Sequence, residues 1–190
     1  VVIGAALALW LSWSDVAATF AVPWIAALNI EFALHTDPFR SLFVAIICGT
    51  AVSIYLFAGI YYRADHRLPA FLAFLLLFSA CMIGIVLSDD LLVFFLFWEG
   101  TSLLSFLLIG WDHGKEEVRW KAAQSFLVTV LGGLALLAGL VLLKIASGAT
   151  TISEAFASDL SSHVLSPAMI VLIGVGAMTK SAQFPFHFWL

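Results

Sequence analysis

The sequence predicts an all-α fold, a polytopic bundle of transmembrane helices. Of its 190 residues, 63% are hydrophobic and 11% are charged, against roughly 45–50% and 25% in a soluble domain. Mean hydropathy is +1.11, and such a chain has too little polar surface to cover itself in water. Its apolar residues form continuous runs near the roughly 20 residues that cross a bilayer. No strand-period alternation and no nucleotide-binding glycine pattern interrupts them. A soluble enzyme, a nucleic-acid binder and a disordered chain are thereby excluded.

The elements follow in order. Residues 1–13 are apolar but too short to span, and read as the tail of a helix. The chain starts Val1-Val2-Ile3 without Met and stops at Trp189-Leu190 inside an apolar run, so a fragment of a longer membrane protein is expected. Residues 14–38 form a long, partly apolar loop in which His35 and Asp37 fit a ligand site and an ordered surface equally. A first full span covers 39–62. The link 63–68 is short enough to force an antiparallel hairpin with the next span, 69–87. Ser88-Asp89-Asp90 then places acids at the positive end of the helix dipole of span 90–111; capping is the simpler reading, attraction of cations the other. A fourth span covers 122–145. After loop 146–166, Ser166-Pro167 reads as an N-cap followed by proline at the first helical position, opening span 167–190. All belong to one transmembrane domain.

Orientation follows from Lys/Arg bias. Loops 63–68 and 112–121 hold Arg63, Arg67, Lys115, Arg119 and Lys121, whereas loops 14–38, 88–90 and 146–166 hold no Lys or Arg and seven acids. The first set is therefore expected on the cytoplasmic face (the matrix face in an organelle). Trp10, Trp13, Trp24, Trp111 and Trp120 fall near the interfaces and fit an aromatic belt. Lys144 lies at the end of its span and snorkels. The net charge of −4 and the scattered cations offer no nucleic-acid surface. Cys48 and Cys81 sit in apolar runs and read as small buried hydrophobes.

Two charges remain deep in the spans, Glu99 in Trp98-Glu99-Gly100 and Lys180 in Thr179-Lys180-Ser181. Each costs about 2.5–3.5 kcal/mol at a helix centre, which marks function by default. At about 1.5 Å per residue, Glu99 lies roughly 14 Å and Lys180 roughly 20 Å below the same face. Helical side chains lean toward the N-terminus, so Lys180 leans toward Glu99 and the two meet if their helices are neighbours. Gln183 and His187 follow Lys180 at i+3 and i+7. Pro185 cannot donate to the carbonyl of Ser181, so a kink or break is expected there. A freed carbonyl at that depth needs protein or water beside it. Lys180, Gln183, His187 and the break thus outline a hydrated path, with proton transfer as the fitting chemistry. Making and breaking a Glu99–Lys180 pair would switch Lys180 between holding and releasing a proton. The alternative is a static polar clamp between helices. Gly132-Gly133 and the Ala135/Gly139 spacing read as close helix packing.

Trp98-Glu99-Gly100 leading to Ser105-Phe106-Leu107-Leu108-Ile109-Gly110, then Thr179-Lys180-Ser181-Ala182-Gln183-Phe184-Pro185, resembles the antiporter-like subunits of energy-converting membranes. That superfamily includes the L-type subunit of respiratory NADH:quinone oxidoreductase and the A-type subunit of Mrp-type Na⁺/H⁺ antiporters. The resemblance runs from about His35 to Leu190. It implies that Glu99 and Lys180 are the charge pair of a proton path whose other members lie in later helices. Ser125-Phe126-Leu127-Val128-Thr129-Val130-Leu131-Gly132-Gly133 is similar to the Mrp pattern; the respiratory protein commonly carries an acid where Gly133 stands. Ala182-Gln183-Phe184-Pro185-Phe186-His187-Phe188-Trp189-Leu190 is also Mrp-like.

The resemblance implies an ion-translocating component of a multisubunit Na⁺/H⁺ antiporter in the cell membrane, with other membrane subunits, Na⁺, H⁺ and lipid as partners. Such a component belongs to a secondary antiporter and is not an enzyme. The alternative is the proton-pumping L-type subunit, which carries no redox centre itself. No Cys cluster, haem ligand pair or flavin motif is present in the sequence, so no cofactor and no metal are expected. A third class is a structural membrane protein that transports nothing.

Overall fold

A computed structural model describes residues 18–25, 30–160 and 163–190. The partial span expected over 1–13, with Trp10 and Trp13, lies outside the described residues. Two strands, β1 (Ala18–Ile25) and β2 (Ile30–Thr36), precede the helices α1 (Pro38–Tyr61), α2 (Leu68–Leu87), α3 (Leu91–Ile109), α4 (Glu116–Ser147), α5 (Ile152–Ala157) and α6 (Ser166–Lys180). Short 3₁₀ turns at Gly110–Asp112 and Phe186–Trp189 follow α3 and α6. The protein is an integral membrane protein, and α1, α2, α3 with its 3₁₀ turn, and α4 are each long and apolar enough to cross a bilayer.

The helices stand in a row. α1 packs on α2, α2 on α3, α3 on α4, and α4 most extensively on α6. Side-chain caps fix where α1 and α3 begin. Asp37 is the N-cap of α1 and accepts the Arg40 amide at 2.8 Å. Asp90 caps α3 and accepts from the amides of Leu92 and Val93 at 2.8 and 3.0 Å. Both carboxylates also sit at the favourable end of a helix dipole. α4 ends at Gly148, whose φ of 71° suits a residue without a Cβ.

Four expectations change. The span expected over 122–145 is a helix over Glu116–Ser147, so that Arg119 and Lys121 of the expected loop are helical. The loop expected over 14–38 contains an antiparallel hairpin, with Ala18 opposite Thr36 and a register shift between Pro23 and Ile25. Alternation fails to reveal it because every residue of β1 is exposed, so no face of that strand is selected for apolarity. A lone hairpin is marginal; this one is held by tertiary contacts, the Asp89 amide donating to Ala33 O at 3.1 Å and Phe32 meeting the Phe97 ring edge-on. Ser166 is the first residue of α6 and not its cap; its hydroxyl turns back to Leu160 O. The span expected over 167–190 is helical only as far as Lys180.

At the hairpin end of the bundle, Arg40 ties the pieces together. Its guanidinium donates to the carbonyls of His35, Leu87 and Ser88 and pairs with Asp89 at 3.2 Å. Asp89 also receives the Ser153 hydroxyl at 2.7 Å. This pairing, together with the Asp90 cap, accounts for the acids of the α2–α3 turn without a bound cation. At the opposite end, Arg67 lies 5.2 Å from the Trp111 ring centroid, and that ring packs on Phe71 and Phe74.

Candidate functional site

The site forms where α3, α4 and α6 meet. Small residues make that meeting close. On α4, Ala122, Ser125, Thr129, Gly132, Leu136 and Gly139 are buried along one helical stripe. A Cβ at Gly139 would lie 2.7 Å from Ile173, one at Gly176 2.7 Å from Leu136, and one at Gly132 1.7 Å from the Thr179 hydroxyl. Backbones in membranes approach this closely only over such residues.

Lys180 is the last residue of α6, so its ammonium sits at the negative end of a helix dipole. Fifteen residues of α6 span about 22 Å, short of the roughly 30 Å hydrocarbon core. The helix by itself is therefore too short to cross the membrane. Ala182 turns into the left-handed region at φ 50°, which ends the helical path. The exposed carbonyls are taken by protein: the Gln183 amide donates to Met178 O at 2.9 Å, and the Trp189 indole donates to Thr179 O at 2.8 Å. A helix end inside a membrane is tolerated on those terms.

The Lys180 Nζ donates to Ser102 Oγ at 2.7 Å and to Trp98 O at 3.3 Å, and lies 5.5 Å from the Trp98 ring centroid. Glu99 stands in the same turn of α3 and faces α4. A Cβ on Gly133 would fall 1.8 Å from its Oε1, an atom that is buried and has no hydrogen-bond partner. Among the described residues, no ion pair joins Glu99 to Lys180. The expected pair is thus a proximity: the ammonium, reaching over from α6, lies against the turn of α3 that bears Glu99, bonded to the Trp98 carbonyl and Ser102.

Gln183 and His187 do not share a face with Lys180. Their placement assumed a helix continuing past Lys180; with the helix ended, both side chains are exposed, and the His187 ring stacks on Phe184 at 5.8 Å. Sequence reasoning missed Ser102, the Trp98 carbonyl and the Trp189 cap. A signal for Ser102 was available in the helix rise. Ser102 lies about 18 Å below Asp90, nearer the depth of Lys180 than Glu99 does. Cys48 and Cys81 are free thiols, and the Cys81 Sγ packs against Gly100. Beside the site, Trp98 also borders an apolar cavity of about 750 Å³ between α3, α4 and α6.

The family model described as NADH:quinone oxidoreductase/Mrp antiporter, TM, matches residues 88–190, more than half of the chain and all of the site. The chain belongs to this family. Among its relatives in the NADH:quinone oxidoreductase/Mrp antiporter family are the candidate antiporter subunits mnhA2 of Staphylococcus haemolyticus (strain JCSC1435), 41% identical over 90% of the chain, and of Staphylococcus aureus, 42% identical over 89%. The chain spans 22% of the length of each. A chain in the structure of the Mrp complex from Dietzia sp. DQ12-45-1b superposes with a TM-score of 0.84 at 33% identity, covering all of this chain and 21% of that one. A chain of respiratory complex I from Thermus thermophilus gives 0.79 at 23%, covering 98% and 39%; that likeness concerns the fold.

Proposed function

We propose that this chain is part of the ion-translocating A-type subunit of an Mrp-type Na⁺/H⁺ antiporter, in the cell membrane, with the loops 63–68 and 112–121 cytoplasmic. The observation that carries the reading is Lys180 at the end of a short apolar helix, held against the turn of α3 that bears Glu99. Lys180 carries the proton, and the approach and withdrawal of the Glu99 carboxylate sets whether it is held. Gln183 and His187, exposed beyond the break, would face water or later helices and extend the path. Other subunits, Na⁺, H⁺ and lipid are the partners. Gly133 favours the Mrp reading over the respiratory one, since the respiratory pattern commonly carries an acid there and a second carboxylate would fall against that of Glu99.

The test is Na⁺-dependent collapse of ΔpH in everted vesicles that hold the full-length complex, in a host without other antiporters, energised by ATP. Glu99→Gln and Lys180→Ala are each expected to abolish the collapse while the complex still inserts. Normal coupling in either variant overturns the mechanism. No Na⁺ response, with NADH-dependent proton pumping in its place, assigns the chain to the respiratory reading.

A further inference from the structure

Lys180 has two sets of partners within reach on one turn of α3, and only one is engaged. Ser102 is 1% exposed, and its hydroxyl lies 3.4 Å from the Trp98 carbonyl. By donating there, in the i to i−4 manner of helical serines, it turns its lone pairs toward the Lys180 ammonium. The Thr101 hydroxyl also donates to the Trp98 carbonyl, at 2.7 Å, so two hydroxyls and the ammonium converge on one oxygen. Meanwhile the Glu99 Oε1, one helical position from Trp98, has no partner. An unpaired buried carboxylate oxygen beside an ammonium bound elsewhere is costly. A second acceptor set holds the ammonium in its place.

We propose that Ser102, with the Trp98 carbonyl, is a parking site for the Lys180 ammonium, alternative to Glu99, and so a positioning residue for translocation. The inference rests on the Glu99–Lys180 reading above. Ser102 and Glu99 are three residues apart, so a change of side-chain rotamer moves the ammonium between them without moving a helix. Ser102 is neutral and Glu99 charged; the parked ammonium keeps its charge but not its ionic partner. Translocation then requires both positions, because a lysine with Glu99 alone remains paired. The other titratable group facing the ammonium is Cys81 of α2.

The experiment compares Ser102→Ala and Ser102→Thr in the full-length complex, by Na⁺-dependent ΔpH collapse in everted vesicles at equal assembled complex. Removing one hydrogen bond to a charged group is expected to lower the maximal rate of Ser102→Ala about tenfold, with half-saturating Na⁺ unchanged. Thr keeps the hydroxyl and is expected to retain the rate. Because Thr adds a methyl in a buried place, the pH profile of Ser102→Ala is the second readout, and it should move by about one unit from that of the parent. A packing defect would lower the rate without moving the profile. Equal rates for Ser102→Ala and the parent, or coincident profiles, overturn the proposal. If Lys180→Ala retains coupling, the Glu99–Lys180 reading itself falls; if Lys180→Ala is inactive and Ser102→Ala normal, only the parking site does.

Discussion

Gly132 and Gly133 are adjacent residues of α4 that face different neighbours and have different costs of replacement. The missing Cβ of Gly132 makes room for Thr179, whose Oγ1, Cβ and Cγ2 would all lie within 2.8 Å of it. Thr179 is buried and its hydroxyl donates to Gly176 O at 2.8 Å, so it has nowhere to go. Gly132→Ala is therefore expected to cost about 1–3 kcal/mol by overpacking, read as a lower unfolding midpoint and lower abundance of the complex. Gly133 meets only the end of the Glu99 side chain, which can swing aside. Gly133→Ala is expected to assemble normally and to lower transport per complex, because the carboxylate is displaced. If the two variants share one phenotype, the division between packing and site at these glycines is wrong. The sequence marked both as packing residues; which one meets the carboxylate depends on the rotation of α4 against α3, and that is a tertiary quantity.

At the scale of elements, the spanning helices were legible because each contains a long apolar run whose length matches the bilayer. The elements outside the apolar runs were less so. α5 has six residues and is held by a capping box, with Thr151 accepting the Glu154 amide and Glu154 accepting the amides of Thr150 and Thr151. Those amides hold the Glu154 carboxyl below its ordinary value of 4.5. A carboxylate with a lowered folded value stabilises above its unfolded value and loses that contribution as the pH falls through the folded one. α5 is accordingly expected to fray as the pH drops below 4.5, seen as faster amide exchange over Ile152–Ala157. In Glu154→Gln the amide still caps and the pH dependence should vanish. Persistence of the dependence in that variant would place its origin elsewhere.

At the scale of the molecule, the bundle is a row with little interior. In the apolar window of α2, 6% of the residues are buried, against 33% in α4. α4 is thus the most enclosed helix, whereas α2, although packed between α1 and α3, leaves most of its apolar side chains partly exposed, as a surface bounded by lipid or further protein would. The cationic and acidic ends of this row set a further prediction. His66, at the cationic end, and Phe156, at the hairpin end, are both well exposed. Single cysteines at these positions are expected to react with a membrane-impermeant maleimide from opposite faces, His66→Cys from the cytoplasm and Phe156→Cys from outside. Labelling of both from one face would refute the assigned topology.

Local information sufficed for the class of fold, for the bounds of α1, α2 and α3 though not for the start of α4, for the family resemblance, and for Glu99 and Lys180 as the charges to explain. Each of these rests on a quantity readable within one stretch of chain: the length of an apolar run, a cap, a motif, or the cost of one charge in hydrocarbon. Packing between helices settled that α6 ends at Lys180, that the ammonium rests on Ser102 and the Trp98 carbonyl, and that Gln183 and His187 leave its face. It also settled the Arg40 tie and the hairpin that this residue secures. These depend on which donor meets which acceptor across helices far apart in the chain. The pairings at the site follow from the close approach of α4 and α6 at Gly132 and Gly176, and no single stretch of sequence encodes the distance between two helices.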